Sequence, residues 1–125
     1  MDDIRKQQLE ALEVGVEYIQ KLVPAVKEIL PELRGEEKED TMDFLGQIID
    51  GINFVIEIAN ATMPLINEKE EILNKEGIEE KVQILSRALQ ARDNVKTAQA
   101  LEEGILPFVD IFYQVASLLL AGEKA

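Results

Sequence analysis

The chain of 125 residues contains no cysteine and no histidine. Without cysteine it has no disulfide bond, no thiolate nucleophile and no cysteine-based zinc or iron–sulfur site. Without histidine it lacks the commonest metal ligand and the commonest general base, so neither of its two serines, Ser86 and Ser117, has a histidine to activate it. The composition favours a protein that is not an enzyme and holds no cofactor.

Basic residues are also scarce, because 13 Lys and Arg stand against 25 Asp and Glu and leave a net charge of −12. A surface of this sign repels phosphate, so we expect neither nucleic acid nor an anionic membrane as a partner. A local exception is the group Lys81, Arg87, Arg92 and Lys96. These side chains are either solvated or ion-paired on helix surfaces, or form a patch that binds an anion or an acidic partner.

No segment reaches 18 apolar residues without a charge, so the sequence predicts no transmembrane helix. The first eight residues are acidic and polar, unlike a signal peptide with its basic start and apolar centre. We therefore expect a cytoplasmic protein.

What the chain does contain is an apolar stripe that returns three times with alternating spacings of three and four residues. This spacing places the side chains on one face of a helix, which is typical of long helices that bury their faces against each other. The three stripes are Leu9, Leu12, Val16, Ile19, Val23, Val26, Leu30 and Leu33; Leu45, Ile49, Ile52, Ile56, Ala59, Met63 and Ile66; and Ala98, Leu101, Ile105, Phe108, Phe112, Val115 and Leu119. A short fourth stripe is Ile78, Val82, Leu85 and Leu89.

These stripes predict an all-α fold, an antiparallel four-helix bundle with three long proline-bent helices and one short helix, in a single domain over residues 1–125. We expect the core to contain Ile19, Val23, Val26, Ile49, Ile52, Ile56, Leu85, Leu89, Leu101, Ile105, Phe108 and Phe112.

Capping residues and glycines set the expected helix bounds. The first helix runs from Asp3 to Leu33, with Asp2 or Asp3 as its cap and Gly35 at its end. The second begins at Glu36 or is capped by Asp40 or Thr41, and it ends at Ile66 or as late as Leu73. Residues 74–77 are predicted as a break. The third helix then covers residues 78–92, and the fourth runs from Asn94 to Ala121 with Asp93 as its N-cap.

Prolines and glycines interrupt the predicted helices. Pro24, Pro64 and Pro107 each lack an N–H and clash with the carbonyl four residues back, so each predicts a kink or a break. Such bends either open a groove between helices or wrap long helices around a compact core. Four glycines, Gly15, Gly46, Gly51 and Gly104, predict positions where helices approach closely or bend.

Polar residues of the second helix are the first candidates for a site. Asp50 and Glu57 lie seven residues apart on one helical face, and so do Asn53 and Asn60. A carboxylate pair is either a solvated or ion-paired feature or part of a divalent-metal site, and the missing histidines disfavour the metal. The asparagines either fix helix pairing or lie at the border of the stripe.

Two segments of the chain carry a resemblance to a known family. One is residues 48–54, an Ile-Ile-Asp-Gly motif that continues to Phe54, and the other is residues 88–95, followed by Leu101-Glu102 and Leu106-Pro107. Together they resemble a family of small, all-helical, uncharacterised proteins of Gram-positive bacteria, known as a domain of unknown function. The resemblance implies a helical fold and a bacterial cytoplasmic origin. The candidate partner-contact or groove residues are Asp50, Asn53, Phe54, Glu57, Glu102 and Glu103.

The function favoured by these observations is a non-catalytic interaction module that presents an acidic helical surface or groove to a protein partner. One alternative is a chaperone-like acidic bundle for an export or assembly substrate. An alternative of another class is a carboxylate-based metal binder or enzyme. The long helices would overhang the short one, which favours a homodimer through the first or the second helix.

Overall fold

The computed structural model describes residues 3–124, with side chains to Gly122, and every element in this range is helical. The helices in chain order are α1 (Asp3–Leu33), α2 (Thr41–Ile66), α3 (Lys75–Gln90), α4 (Asn94–Ala100), a π-helical segment (Leu101–Ile105) and α5 (Leu106–Lys124). The last three follow one another without a break, and we call residues 94–124 the C-terminal helix. The all-α prediction is therefore confirmed for the described residues.

The bounds of α1 agree with the prediction, and Gly35 follows it with a positive φ of 128°. The predicted cap Asp2 lies outside the described residues. Helix α2 begins at Thr41 rather than Glu36, and it ends at Ile66 rather than Leu73. The early end follows from Asn67, whose side-chain oxygen accepts hydrogen bonds from the N–H groups of Ile72 and Leu73 at 2.9 and 3.1 Å and so stabilises a loop.

The break between the second and third helices lies at residues 67–74, earlier than the predicted 74–77. Asn74 is the N-cap of α3, and its side chain accepts a hydrogen bond of 2.6 Å from the N–H of Gly77, so residues 74–77 form the cap and first turn of the helix. The prediction that Asp93 caps the following helix is confirmed, because its side chain accepts a 3.0 Å hydrogen bond from the N–H of Lys96. That helix continues beyond Ala121 to Lys124.

None of the helix prolines ends its helix. Helix α1 continues through Pro24 and Pro31, and α2 continues through Pro64. Before Pro107 the chain adopts the π-helical segment, in which the N–H of Leu106 bonds to the carbonyl of Leu101. This wider turn changes the hydrogen-bond register just where Pro107 cannot donate.

Helix α1 contacts both α2 and the C-terminal helix, and α2 also contacts α5. Residues early in α1 contact residues late in α2, and residues late in α1 contact the start of α2. The pairs are Arg5 with Glu68, Gly15 with Ile58, and Glu32 with Thr41. The C-terminal helix contacts α1 in the same reversed order, with Gly15 near Phe112 and Arg34 near Glu102. Helix α3 packs on α4 and the π-helical segment.

In α1 and α2 the buried seams keep the predicted alternating spacing but lie one residue earlier at most alternate positions, although the predicted Leu30 is also buried. In α1 the seam is Leu12, Gly15, Ile19, Leu22, Val26, Ile29 and Leu33, and in α2 it is Leu45, Ile48, Ile52, Val55, Ala59, Thr62 and Ile66. The third stripe agrees with the prediction: Ala98, Leu101, Ile105, Phe108 and Phe112 are buried, and Val115 and Leu119 are half-buried. Of the predicted core residues, eight are buried: Ile19, Val26, Ile52, Leu85, Leu101, Ile105, Phe108 and Phe112. The other four, Val23, Ile49, Ile56 and Leu89, are half-buried and pack against this core.

Gly51 is required by the packing of Tyr18 on α2. A β-carbon at position 51 would lie 3.1 Å from two carbons of the Tyr18 ring and closer still to its hydroxyl oxygen. The same ring makes an edge contact with Phe54, with 5.3 Å between ring centroids. We expect Gly51→Ala to lower the free energy of unfolding by about 1–2 kcal/mol, because the clash outweighs the better helix propensity of alanine. Chemical denaturation measures this change.

Gly46 provides the matched control, because it lies in the same helix and no atom lies within 4 Å of a β-carbon built there. Gly46→Ala should therefore raise stability by about 0.5–1 kcal/mol through helix propensity alone. In a Tyr18→Ala background the Gly51→Ala change should also become stabilising. Equal effects at positions 46 and 51 in the wild-type background would contradict the role of Tyr18.

Candidate functional site

A groove with a volume of about 940 Å³ lies between α3 and the first half of the C-terminal helix. We call it the α3 groove. Its residues on α3 are Gly77, Glu80, Lys81, Ile84, Arg87, Ala88 and Ala91, the last directly after the helix, and its residues on the C-terminal helix are Lys96, Gln99, Ala100, Glu103 and Gly104. Residues 77–91 rise by about 21 Å along a helix axis, so the groove is roughly four helical turns long.

The turn between α3 and α4 places the two walls of this groove side by side. The N–H of Asp93 bonds to the carbonyl of Ala88 and that of Arg92 to Leu89, both at 3.1 Å, while Arg92 adopts a left-handed φ of 54°. This is the Schellman arrangement, which usually has glycine where Arg92 stands. The left-handed conformation costs roughly 1–2 kcal/mol for a residue with a β-carbon, so the packing of the two helices has to offset it.

The floor and one wall of the groove are apolar or small. Ala88 and Ala100 are buried, and Gly104 lies against the stem of Lys81, with 3.7 Å between the Lys81 γ-carbon and a β-carbon built at Gly104. Ile84 is 50% exposed although it lies among these groove residues. A large apolar side chain that lines a groove and remains half-exposed is a candidate contact residue for a partner protein.

Three cations line the α3 groove: Lys81 and Arg87 on α3, and Lys96 on α4. They belong to the basic group that the sequence singled out, whose fourth member, Arg92, stands in the turn. Among the described residues none of the three takes part in a salt bridge, whereas Arg34 pairs with Glu102 and Arg5 with Glu68. The groove also contains two carboxylates, Glu80 and Glu103.

The candidate residues from the sequence do not come together at one place. Asp50, Asn53, Phe54 and Glu57 are exposed on the face of α2 opposite its buried seam. Within this group Phe54 contacts Tyr18. Asn53 instead lines a second groove of about 310 Å³ between α2 and α3, where Asn60, Ile78 and Val82 also lie.

Glu102 and Glu103 of the π-helical segment point to different neighbours. Glu102 accepts a 2.7 Å hydrogen bond from the guanidinium of Arg34, just after the end of α1. This bond, together with the attraction between the two charges, lowers the pKa of Glu102 and raises the pKa of Arg34. Glu103 lies in the α3 groove and is the one candidate from the sequence that this groove includes.

The apolar part of the α3 groove is not among the candidates predicted from the sequence. Its signal is Ile84, which falls outside the stripe of Ile78, Val82, Leu85 and Leu89 and so places an apolar residue on the polar face of α3. Small residues at positions 88, 91, 100 and 104 are the second signal, because they leave room above a helix surface.

The acidic side chains do not form a metal site in the part of the chain that the structure describes. No group of three or more carboxylates lies close enough there to hold an ion, and the predicted pair Asp50 and Glu57 is exposed.

Two helices, Thr41–Ile66 and Asn94–Gly122, are long and apolar enough to cross a membrane by length and composition alone, with mean hydropathies of 1.2 and 1.7. Core helices of soluble proteins meet the same criterion.

Comparison with known families adds a classification to this geometry. The family model described as domain of unknown function DUF8042 matches residues 10–115. The chain belongs to the DUF8042 family. The match includes the α3 groove, the turn at Arg92 and the π-helical segment, so the groove lies within the part of the chain that defines the DUF8042 domain. No curated protein and no solved structure matches the chain.

Proposed function

We propose that this DUF8042 protein is a non-catalytic interaction module that binds a helical segment of a protein partner in the α3 groove. The observation that carries the proposal is the combination of a groove about four turns long with the half-exposed Ile84 in it. A partner helix that lays its apolar face into a groove is a recurring mode of peptide recognition. We also propose that α1, α2, α3 and the C-terminal helix form an antiparallel four-helix bundle, which holds the walls of the groove.

The chemistry of the lining supports binding rather than catalysis. The groove contains lysine, arginine, glutamate and glutamine side chains beside an apolar floor, and the chain has no histidine or cysteine to act as a general base or thiol nucleophile. The pattern of α2 supports a core helix rather than a membrane span, because its buried seam lies opposite the exposed carboxylates Asp50 and Glu57. A cytoplasmic location is a prediction from the sequence. A Gram-positive bacterial origin and a homodimer through α1 or α2 also remain predictions, and sedimentation equilibrium tests the dimer.

A displayed library of random 16-residue peptides, selected on the immobilised protein, tests the proposal. Ile84→Asp removes the apolar anchor of the groove. The matched control is Val95→Asp, because Val95 is 61% exposed and does not line the groove. Selected peptides should lose about tenfold or more in affinity for Ile84→Asp, equivalent to about 1.4 kcal/mol, and should bind Val95→Asp like the wild type.

Three outcomes are informative. Peptides that share a sequence pattern and depend on Ile84 support a specific module. Peptides that bind both variants equally show that the α3 groove is not the binding site, and this result overturns the proposal. Enrichment of apolar peptides without a common pattern overturns the specific module in favour of the chaperone-like alternative.

A further inference from the structure

We infer that the α3 groove selects an acidic amphipathic helix, with carboxylates on its polar face and small or medium apolar residues on the face that enters the groove. This inference rests on the proposed function and adds the chemistry of the partner. It follows from the charges of the groove, from its floor and from its length.

The charges of the groove differ from those of the rest of the chain. Three of the 13 basic residues line it, and none of these three is paired within the described part of the chain. The chain as a whole has about twice as many acidic as basic residues and repels an acidic partner elsewhere. A carboxylate-bearing segment is therefore attracted to this groove more than to other parts of the surface, so charge decides where it docks.

The positions of the cations also favour a helix in a defined register. Lys81 and Arg87 are six residues apart, which separates them by roughly 9 Å along the axis of α3, and Lys96 stands on the opposite wall. Glu80 and Glu103 lie in the same groove and repel a carboxylate placed beside them. The partner should therefore carry its acids at particular positions rather than as a continuous run.

The small and apolar residues on the floor of the groove favour a helix as its ligand. Ala88, Ala91, Ala100 and Gly104 allow a helix backbone to approach closely, and Ile84 offers one large apolar contact. An extended peptide gains little here, because it pairs with a sheet edge and the described residues contain no strand. Nucleic acid is disfavoured, because three cations beside two carboxylates on a chain of charge −12 do not offset phosphate repulsion.

A second displayed library tests the charge preference. It encodes 16-residue amphipathic helices in which the apolar positions vary among Ala, Leu, Ile and Met, and the polar positions vary among Glu, Gln and Lys. We expect Glu to exceed Lys by about tenfold at some polar positions, since each well-placed charge pair changes affinity by up to this factor. We also expect positions near Glu80 and Glu103 to avoid Glu.

Charge reversal then identifies the groove as the origin of the preference. The test variant is Lys81→Glu, Arg87→Glu and Lys96→Glu combined. The control is Lys21→Glu, Lys27→Glu and Lys69→Glu, which makes the same change in net charge at exposed positions outside the groove. The enriched acidic peptide should lose about tenfold or more in affinity for the groove variant and less than about threefold for the control, and raised salt should weaken the wild-type complex. The groove variant should instead enrich Lys-bearing peptides.

The results separate this inference from the proposed function. Peptides that depend on Ile84 but carry Lys or Gln in place of Glu would overturn the acidic partner and leave the interaction module standing. The absence of any Ile84-dependent peptide would overturn both. A chain that dimerises by itself and loses the dimer in Ile84→Asp would also overturn the inference, because the occupant would then be a second copy.

Discussion

Replacing Phe112 with alanine is expected to lower the free energy of unfolding by about 3–5 kcal/mol. Phe112 is 0% exposed and stacks on Phe108, with 6.4 Å between ring centroids. Its ring lies against α1 at Gly15, where a β-carbon would be 3.5 Å from a ring carbon. Because glycine has no side chain that can move into the vacated space, the cavity should persist and the loss should lie near the upper end of the range.

Urea denaturation followed by far-ultraviolet circular dichroism measures this loss. Ile111→Ala is the control, because Ile111 lies next to Phe112 in α5 and is 42% exposed. It should change stability by less than about 1 kcal/mol, since little apolar area leaves the core. A loss below about 1 kcal/mol for Phe112→Ala would show that the seam between α1 and α5 does not support the fold.

Replacing Thr41 with valine should lower the free energy of unfolding by about 1–3 kcal/mol. Thr41 is buried at the start of α2, and its hydroxyl donates a 2.7 Å hydrogen bond to Oε1 of Glu32 in α1. Glu32 is itself only 6% exposed. The same hydroxyl accepts a 2.8 Å hydrogen bond from the N–H of Lys38 in the connecting turn. Valine keeps the shape but leaves a buried carboxylate without this donor.

Thr62→Val is the control for this substitution, because Thr62 is equally buried in the same helix and donates to the carbonyl of Ile58, four residues back. That carbonyl keeps its helical partner, so the change should stay below about 1 kcal/mol. Combining Thr41→Val with Glu32→Leu should cost less than the two single changes together, because the buried acceptor is removed along with its donor. Equal losses for Thr41→Val and Thr62→Val, or additive losses at positions 32 and 41, would contradict the role of the Glu32 contact.

Local signals predicted α1 and the cap of the C-terminal helix well. The bounds of α1 and the cap at Asp93 agree with the structure, because a capping side chain and a terminal glycine act within one turn of the chain. The start of α3 was predicted three residues too late, because Asn74 and Gly77 were interpreted as turn residues rather than as a cap and its hydrogen-bond donor. Composition does not distinguish these two roles of the same residue types.

Which apolar residues of a helix form its buried seam depends on the neighbouring helices, so the sequence alone did not predict it. In α1 the apolar residues cover more than one stripe, so Val16 and Val23 fit the spacing as well as Gly15 and Leu22 do. The helix contacts α2 on one side and the C-terminal helix on another, and the positions between these two partners become the most buried. The spacing of apolar residues shows which side of the helix is apolar, but it does not show which residues within that broad apolar stripe are the most buried.

The candidate site depended even more on tertiary packing than the buried seams did. The sequence pointed to the basic group around Lys81 and Arg87, but its candidate residues on α2 spread over an exposed face and do not line the α3 groove. The groove exists because residues on α3 and on the C-terminal helix face each other across a turn at Arg92. Single positions in a sequence do not report such a pairing.

By itself the sequence determined that this chain is helical, where its long helices begin and end to within a few residues, and that thiol and histidine chemistry are excluded. These properties depend on residue type and on interactions within one or two helical turns. Only the tertiary structure decided which apolar residues form the seam, that Gly51 makes room for Tyr18, and that Lys81, Arg87 and Lys96 share a groove with Ile84. Those outcomes depend on distances between residues far apart in the chain, which are set by how whole helices pack.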